Sequence, residues 1–279
     1  MFTNADLVKL IIPLIIEQIL AVTVGMADSV MVARVGEAAV SGVSIVDSIN
    51  TLLIGLFSAV ATGGAVVSSQ YLGQKNEEKA SAAGEQLIMS NFALSTVIML
   101  VALVGRNLLL NLLFGGVEPA VMKNARIYFF YTALSFPFLG VYNACAALFR
   151  SMGNSKISMK ISVIANIINI IGNAILIFIF KMGVAGAAIP TLVSRIFSSV
   201  VMFVLLLNKT RPIHIGNIFK YRPDIQLINR ILKIGIPNGM ENSVFQIGKI
   251  LVQGIVAGLG TSAITANSIA ANIGGFGVL

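Results

Sequence analysis

The sequence predicts an all-α integral membrane protein, and three observations carry that prediction. Its residues are 57% hydrophobic and only 11% charged, and its mean hydropathy is +0.92. Apolar runs of about 20 residues, the length that a helix needs to cross a bilayer, recur along the whole chain. Short polar turns separate these runs, so the chain is expected to cross the membrane several times.

Seven predicted spans and the start of an eighth follow from these runs. The spans are 8–33, 44–72, 84–105, 124–149, 158–180, 185–207 and 232–257, and the eighth begins near 262. The one linker-like segment between them lies at 208–231. We therefore predict a six-helix N-terminal transmembrane lobe in residues 1–207, a cytoplasmic linker in 208–231, and the incomplete start of a C-terminal lobe in 232–279.

Basic residues in the loops predict the orientation. If the N-terminus and the loops after spans 2, 4 and 6 share one side, that side holds 12 of the 19 lysines and arginines, and the other side holds 5. The remaining two, Arg195 and Lys249, lie inside spans. Because cytoplasmic loops carry the excess of Lys and Arg, the N-terminus of this multi-pass protein is predicted to be cytoplasmic, in the plasma membrane. The basic residues are dispersed among the loops, which accounts for the net charge of +8 without a nucleic-acid-binding patch. We therefore expect membrane lipids as partners and no nucleic acid.

The chain lacks the residues that several kinds of metal, nucleotide and catalytic site require. The single cysteine, Cys145, lies in the fourth span, and the single histidine, His214, lies in the linker, so no His/Cys cluster for a transition metal is expected. No GxxxxGK[ST] phosphate-binding loop is present. We therefore expect no cofactor, no enzyme activity and no ATP-driven pump.

An internal repeat relates two parts of the chain at an offset of 224 residues. KLIIPLIIE at the first copy aligns with KIGIPNGME at the second, which pairs Lys9 with Lys233, Pro13 with Pro237 and Glu17 with Glu241. An even number of predicted spans separates the copies, so the repeat is parallel, as between the halves of some secondary transporters. Repeat logic predicts a parent of about 450 residues, of which this chain is a truncated part that transports nothing alone.

Acids inside a membrane span are costly and usually face a bundle interior or a wet cavity. Glu17 and Asp28 both lie in the first span, eleven residues apart, which places them on one helix face at about 100° per residue. A structural acid at the cytoplasmic end and a functional acid are both open interpretations of Glu17. For Asp28 we favour binding of a coupling ion or proton.

A polar stripe in the fifth span points to the same kind of site. Ser162, Asn166, Asn169 and Asn173 follow one another at spacings of four, three and four, so they share a face. Inside a bilayer that face must meet helix partners, water or a bound ion. Hydrogen bonding between helices and ion binding remain alternatives.

Four phrases together resemble the multidrug and toxic compound extrusion (MATE) transporters. They are GMADSVMVARVGEAAVSGVS, GGAVVSSQYLGQKNEEKA, LFRSMGNSKISMKISVIANIINIIGNAILIF and GIPNGMENSVFQIGKILVQGIVAGLGTSAITANSIAANI. The resemblance implies twelve helices in two parallel-repeat lobes around a central cavity, which opens alternately to each side. It also implies a monomer when full length, which exports cationic or amphiphilic small molecules in exchange for Na⁺ or H⁺.

The resemblance also implies ion-coupling residues. By motif, the first-lobe cation site of the family corresponds to Asp28, Asn169, Asn173 and Thr191. This chain departs from the pattern at Asn173, where that version of the family has a second acid. One carboxylate with amide and hydroxyl oxygens suits Na⁺, the only metal expected here, whereas a two-acid proton relay at that location is excluded.

A second branch of the family has an essential acid on helix 7, and Glu241 matches it. Gln246 and Lys249 follow on that helix, and Lys249 requires a counter-charge, for which Glu241, Asp28 and Asp47 are all candidates. The family pattern does not account for Asp47 in the second span. These residues are predicted to line the cavity or to form an ion pair.

Two other classes of function remain as alternatives. A flippase for lipid-linked or polysaccharide substrates, from the same superfamily, would need several basic residues in its cavity to hold phosphate. Only Arg195 and Lys249 lie deep in spans, which favours cationic substrates. A membrane enzyme would need a nucleophile and base or a metal constellation, whereas this chain offers only scattered acids and amides, and a scaffold would have little use for aligned acids.

Overall fold

The computed structural model describes residues 4–216 and 222–277, and helices are the regular elements within those ranges. The helices are α1 (Asn4–Ala33), α2 (Glu37–Gly73), α3 (Glu77–Phe114), α4 (Pro119–Leu134), α5 (Phe136–Ser151), α6 (Ser155–Ala174), α7 (Ala185–Leu206), α8 (Ile225–Ala257) and α9 (Thr261–Gly277). A π-helical turn, Ile175–Ile179, extends α6. Within the described ranges, five helices are long and apolar enough to cross a membrane, namely α1, α2, α3, α7 and α6 with its π turn. The all-α, multi-pass prediction is confirmed.

The fourth predicted span, 124–149, is wrong as a single helix. It consists of α4 and α5, which meet at Ser135 with a bend of 48° and are together long and apolar enough for one bent span. Pro137 stands at the start of α5, and proline supplies no backbone N–H to the preceding turn and clashes with it. The Ser135 hydroxyl instead donates to the Thr132 carbonyl at 2.6 Å, which caps the break locally.

Helices α2, α3 and α8 each begin seven residues earlier than predicted, and the first turns of α3 and α8 are polar and lie outside the apolar runs. Before α3, the Asn76 side chain accepts from the Lys79 N–H at 3.0 Å. Before α8, the Asp224 side chain accepts from the N–H groups of Gln226 and Leu227, at 2.9 and 3.1 Å. Such N-caps satisfy donors that a helix start leaves free, so the last residues of the predicted linker belong to α8.

The linker is held against the bundle rather than separate from it. Its His214 N–H donates to the Ser81 hydroxyl at 3.2 Å, and its Gly216 N–H donates to Glu85 at 2.6 Å. Gln86 of α3 donates to the Arg222 carbonyl at 2.8 Å. The polar start of α3 therefore anchors the chain where it leaves α7 and enters α8.

The repeat is present in the structure. Helices α1 and α8 end at residues separated by the offset of 224, and α2 and α9 begin at residues separated by the same offset. The turns between them place equivalent glycines at positive φ, 136° at Gly36 and 105° at Gly260, a region that residues with a side chain rarely adopt. The hydroxyls of Ser41 and Thr265, also 224 residues apart, lie 3.0 Å from each other. Equivalent positions in contact are typical of packing around a pseudo-two-fold axis.

Buried small and polar residues bring the helices together. Asn91 of α3 is fully buried, and its amide donates to the carbonyls of Phe57 on α2, at 3.2 Å, and Gly140 on α5, at 2.9 Å. These bonds satisfy carbonyls inside the bundle and join three helices at one point. Interhelical hydrogen bonds and small residues are the usual contacts between membrane helices.

We expect Gly63→Ala to destabilise the protein, because it separates α2 from α8. A Cβ at Gly63 would overlap the Ile231 carbonyl oxygen and lie 2.8 Å from the Gly235 nitrogen, and backbone atoms cannot move aside as side chains do. Overpacking of this kind costs about 1–3 kcal/mol. The measurement is the midpoint of thermal unfolding in detergent.

Gly55→Ala is the matched control, since Gly55 lies in the same helix and nothing lies within 4 Å of the Cβ that would be added. Alanine also has the better helix propensity, by about 1 kcal/mol. Gly55→Ala should leave the midpoint unchanged or raise it. Equal midpoints for both variants would contradict the close approach of α2 and α8.

Candidate functional site

A chain of hydrogen bonds joins the four residues that the resemblance assigned to ion coupling. The Asn173 side-chain amide donates to Asp28 Oδ1 at 2.6 Å and to Asn169 Oδ1 at 3.2 Å. The Asn169 amide donates in turn to the Thr191 hydroxyl at 3.0 Å, and that hydroxyl donates to the Ala187 carbonyl at 2.9 Å. The chain therefore runs from α1 across α6 to α7.

Local sequence explains why these side chains meet. Asn169 and Asn173 are four residues apart on α6 and so lie on one face. Between them, Gly172 faces Pro190 of α7, and a Cβ on the glycine would lie 2.7 Å from the Cβ of the proline. The absent side chain lets α6 approach α7 closely, which brings Asn169 to Thr191.

The orientation of Asn173 matters for what the site can bind. This residue is fully buried, and its Oδ1 has no hydrogen-bond partner among the described residues because its NH₂ group faces Asp28 and Asn169. A half-turn of the amide would present Oδ1 beside the carboxylate instead. Carboxylate, amide and hydroxyl oxygens are the ligands that hard cations such as Na⁺ accept.

This chain of bonds lies in the wall of a cavity of about 670 Å³. Four residues of the α6 stripe and of α1 line it together: Asp28, Ser162, Asn166 and Asn169. The volume falls within the range of 300–1,000 Å³ that is usual for small-molecule pockets. The polar stripe therefore faces a cavity, with Asn173 behind it.

Asp47 of α2, which was predicted to line the cavity or to form an ion pair, faces Asp28 across this cavity. Its side chain is exposed to the cavity, accepts from the Asn50 amide at 3.3 Å, and lies within hydrogen-bonding reach of the Tyr128 hydroxyl. Tyr128 and Asn50 also line the cavity. At residue 173 this chain has an asparagine in place of the second acid that the resemblance implied. A second acid is nevertheless present in the same cavity, and it comes from α2.

Arg195 of α7 balances part of this negative charge. Its guanidinium lines the cavity close enough to attract both Asp28 and Asp47, and it donates to the Ser135 hydroxyl at 2.7 Å. With both acids ionised, the three side chains carry a net charge of −1. An arginine cannot lose its proton in a protein, so this compensation is permanent.

A second, smaller cavity of about 260 Å³ lies where α1 and α2 meet α8 and α9. Gln246, Lys249 and Asp47 line it, so Asp47 is common to both cavities. The Lys249 ammonium lies 4.7 Å from the centroid of the Phe245 ring. The predicted cavity role of these residues matches their positions, whereas their functional roles remain predictions.

The remaining predicted residues lie elsewhere. Glu17 accepts from the Tyr142 hydroxyl at 3.0 Å and is not among the lining residues of the main cavity, although Tyr142 is. The helix face that Glu17 shares with Asp28 thus does not bring Glu17 into the lining of the main cavity, and its role as a structural or a functional acid stays a prediction. Glu241 is exposed on α8 and lines neither cavity.

Residues 13–175, which hold Asp28, Asp47 and all three α6 asparagines, match the family model MatE. The chain belongs to the MatE family. This MatE chain is 30% identical over 266 residues to the uncharacterized transporter YisQ of Bacillus subtilis, and 26% identical over 259 residues to the multidrug export protein MepA of Staphylococcus saprophyticus. These alignments cover 94% and 92% of this chain. They cover 58% and 57% of the two relatives, so the chain spans less than two thirds of their length.

Solved structures share the fold of this MatE chain. The MATE multidrug transporter DinF-BH superimposes with a TM-score of 0.89 at 22% identity, over 97% of this chain and 60% of that one. The two-lobe fold class that the sequence predicted is confirmed. The protein is a multi-pass membrane protein of a transporter family.

Proposed function

We propose that this chain belongs to a secondary active multidrug exporter, coupled to Na⁺ or H⁺ and working by alternating access. The observation that carries the proposal is the hydrogen-bond chain from Asp28 to Thr191 in the wall of a cavity of about 670 Å³. A carboxylate that is hydrogen-bonded to an amide inside a membrane suits reversible binding of a cation.

The cavity favours positively charged or amphiphilic substrates. Asp28 and Asp47 outnumber Arg195, and apolar residues such as Leu139 complete the wall. Relatives named as multidrug export proteins support drugs as the substrate class. Flux is expected to be directed outward from the cytoplasm, across the plasma membrane, by a monomer whose N-terminus is cytoplasmic.

The alternative is a flippase for lipid-linked or polysaccharide substrates. Holding phosphate would require several cations in the cavity. The main cavity offers only Arg195, and the smaller one only Lys249, among the residues that the structure describes. The balance of charge therefore favours cation export over flipping.

Efflux from proteoliposomes tests the proposal. The complete gene product would be reconstituted with a fluorescent cationic dye, and sodium and proton gradients would be imposed separately. We expect dye flux under one of the two gradients, which names the coupling ion. Glu241→Gln tests the second-lobe branch in the same assay.

Two results would count against the proposal. Dye flux that ignores both gradients would exclude coupling, and no dye flux together with transport of a phosphorylated lipid would favour the flippase. Loss of flux in Glu241→Gln alone would indicate that the coupling ion binds in the second lobe.

A further inference from the structure

A third cavity, of about 720 Å³, opens at the end of the bundle opposite to the loops predicted as cytoplasmic. We propose that this cavity binds the phosphate of an anionic phospholipid. Arg106 of α3 and both Lys123 and Arg126 of α4 line it. These are three of the five cations that lie on the side poor in Lys and Arg, so their convergence runs against the general charge bias of the chain.

The N-termini of two helices add positive electrostatic potential to the cavity. Its lining includes Pro119 and Ala185, the first residues of α4 and α7. Helix N-termini carry partial positive charge and free N–H groups, which makes them common anion sites. No acid lines the cavity among the described residues, and Glu118, next to Pro119, is exposed outside it.

Among the described residues, the contacts that hold the two arginines in place come from neutral groups. Arg126 donates to the Asn111 side-chain oxygen at 3.1 Å, and the Arg106 guanidinium lies 5.5 Å from the centroid of the Phe130 ring. An amide oxygen and an aromatic ring orient a guanidinium without neutralising it. Both groups keep donors for a phosphate, which arginine recognises by paired hydrogen bonds.

The surroundings favour a lipid over a soluble anion. Val104 and Leu108, on either side of Arg106 in α3, are 90% and 73% exposed, as apolar residues are where they face acyl chains. Phe130 and Tyr131 line the cavity itself, and aromatic rings are common at the level of the headgroups. A phospholipid bound here would place its phosphate among the cations and its chains along α3.

Native mass spectrometry of the complete gene product in detergent tests this proposal without reference to transport. Dioleoyl-phosphatidylglycerol and dioleoyl-phosphatidylcholine would be titrated, with inorganic phosphate as the soluble competitor. We expect tighter binding of phosphatidylglycerol, weakened about fivefold for each cation removed. The variants are Arg106→Gln, Arg126→Gln and Lys123→Gln, the last on an exposed side chain whose loss should not disturb folding.

Arg34→Gln is the matched control, since Arg34 is an exposed cation on the same side and does not line the cavity. It should bind phosphatidylglycerol like the unmodified protein. Equal binding of the two lipids, or unchanged affinity in all three cavity variants, would overturn the proposal. Displacement of phosphatidylglycerol by millimolar phosphate would also overturn it, in favour of a soluble anion.

Discussion

Asp28→Asn is expected to reduce gradient-driven efflux at least a hundredfold, the largest single effect that the structure predicts. The substitution keeps the size of the side chain, and an amide at residue 28 can still accept the hydrogen bond that Asn173 now donates at 2.6 Å. Helix packing should therefore survive. What is lost is the negative charge beside the Asn173 amide and the cavity, so neither a proton nor Na⁺ can neutralise the site in exchange for a substrate.

Glu17→Gln is the matched control, because it removes a carboxylate from the same helix. Glu17 accepts from Tyr142 at 3.0 Å, and a glutamine oxygen can take over that bond. We expect efflux within about threefold of the unmodified protein, by analogy with the small net contribution of a conserved hydrogen bond. Efflux that survives in Asp28→Asn but is lost in Glu17→Gln would place ion coupling at Glu17 and refute its assignment to Asp28.

Arg195→Gln is expected to have the second-largest effect, with binding and turnover changing in opposite directions. Without the guanidinium, Asp28 and Asp47 face one cavity with a net charge of −2 instead of −1. One added unit of attraction at about 8 Å, with an effective dielectric constant of about 20, is worth roughly 2 kcal/mol, or about thirtyfold in affinity for an organic cation. Tighter binding slows release, so efflux should fall by at least tenfold.

Tetraphenylphosphonium binding and dye efflux, measured on the same preparations, check this prediction. Arg195→Lys keeps the charge but not the geometry of the bond to Ser135, which the arginine donates at 2.7 Å. If charge is the cause, the lysine variant should retain most of the normal affinity and turnover. A lysine variant as impaired as the glutamine variant would show that Arg195 acts by holding the α4–α5 bend instead.

Most of the individual elements could be predicted because hydropathy is a local property. The apolar runs located α1, α2, α6 and α7 to within a few residues at most of their ends. The polar first turns of α3 and α8 were missed, although Asn76 and Asp224 carried the N-cap signal. The bend at Ser135 was also missed, and Pro137 was the signal for it.

The candidate site was predicted in part. Asp28 stood out as an intramembrane acid, and Asn169, Asn173 and Thr191 came from the family resemblance; all four lie in one hydrogen-bond chain. Tyr128 was missed altogether, because one tyrosine in an aromatic-rich span carries no signal of its own. Asp47 and Arg195 were noticed, but nothing near them in the chain showed that they face each other.

The sequence by itself determined that this chain crosses the membrane repeatedly, which side its basic loops favour, and that its two ends carry related helix pairs. Hydropathy, loop charge and the offset of 224 residues are properties that can be counted along the chain. Only the tertiary structure decided that Asp28, Asp47 and Arg195 share one cavity, and that Arg106, Lys123 and Arg126 share another. Those groupings join helices distant in sequence, and the distances between such helices depend on close contacts such as Gly172 against Pro190, which no local pattern records.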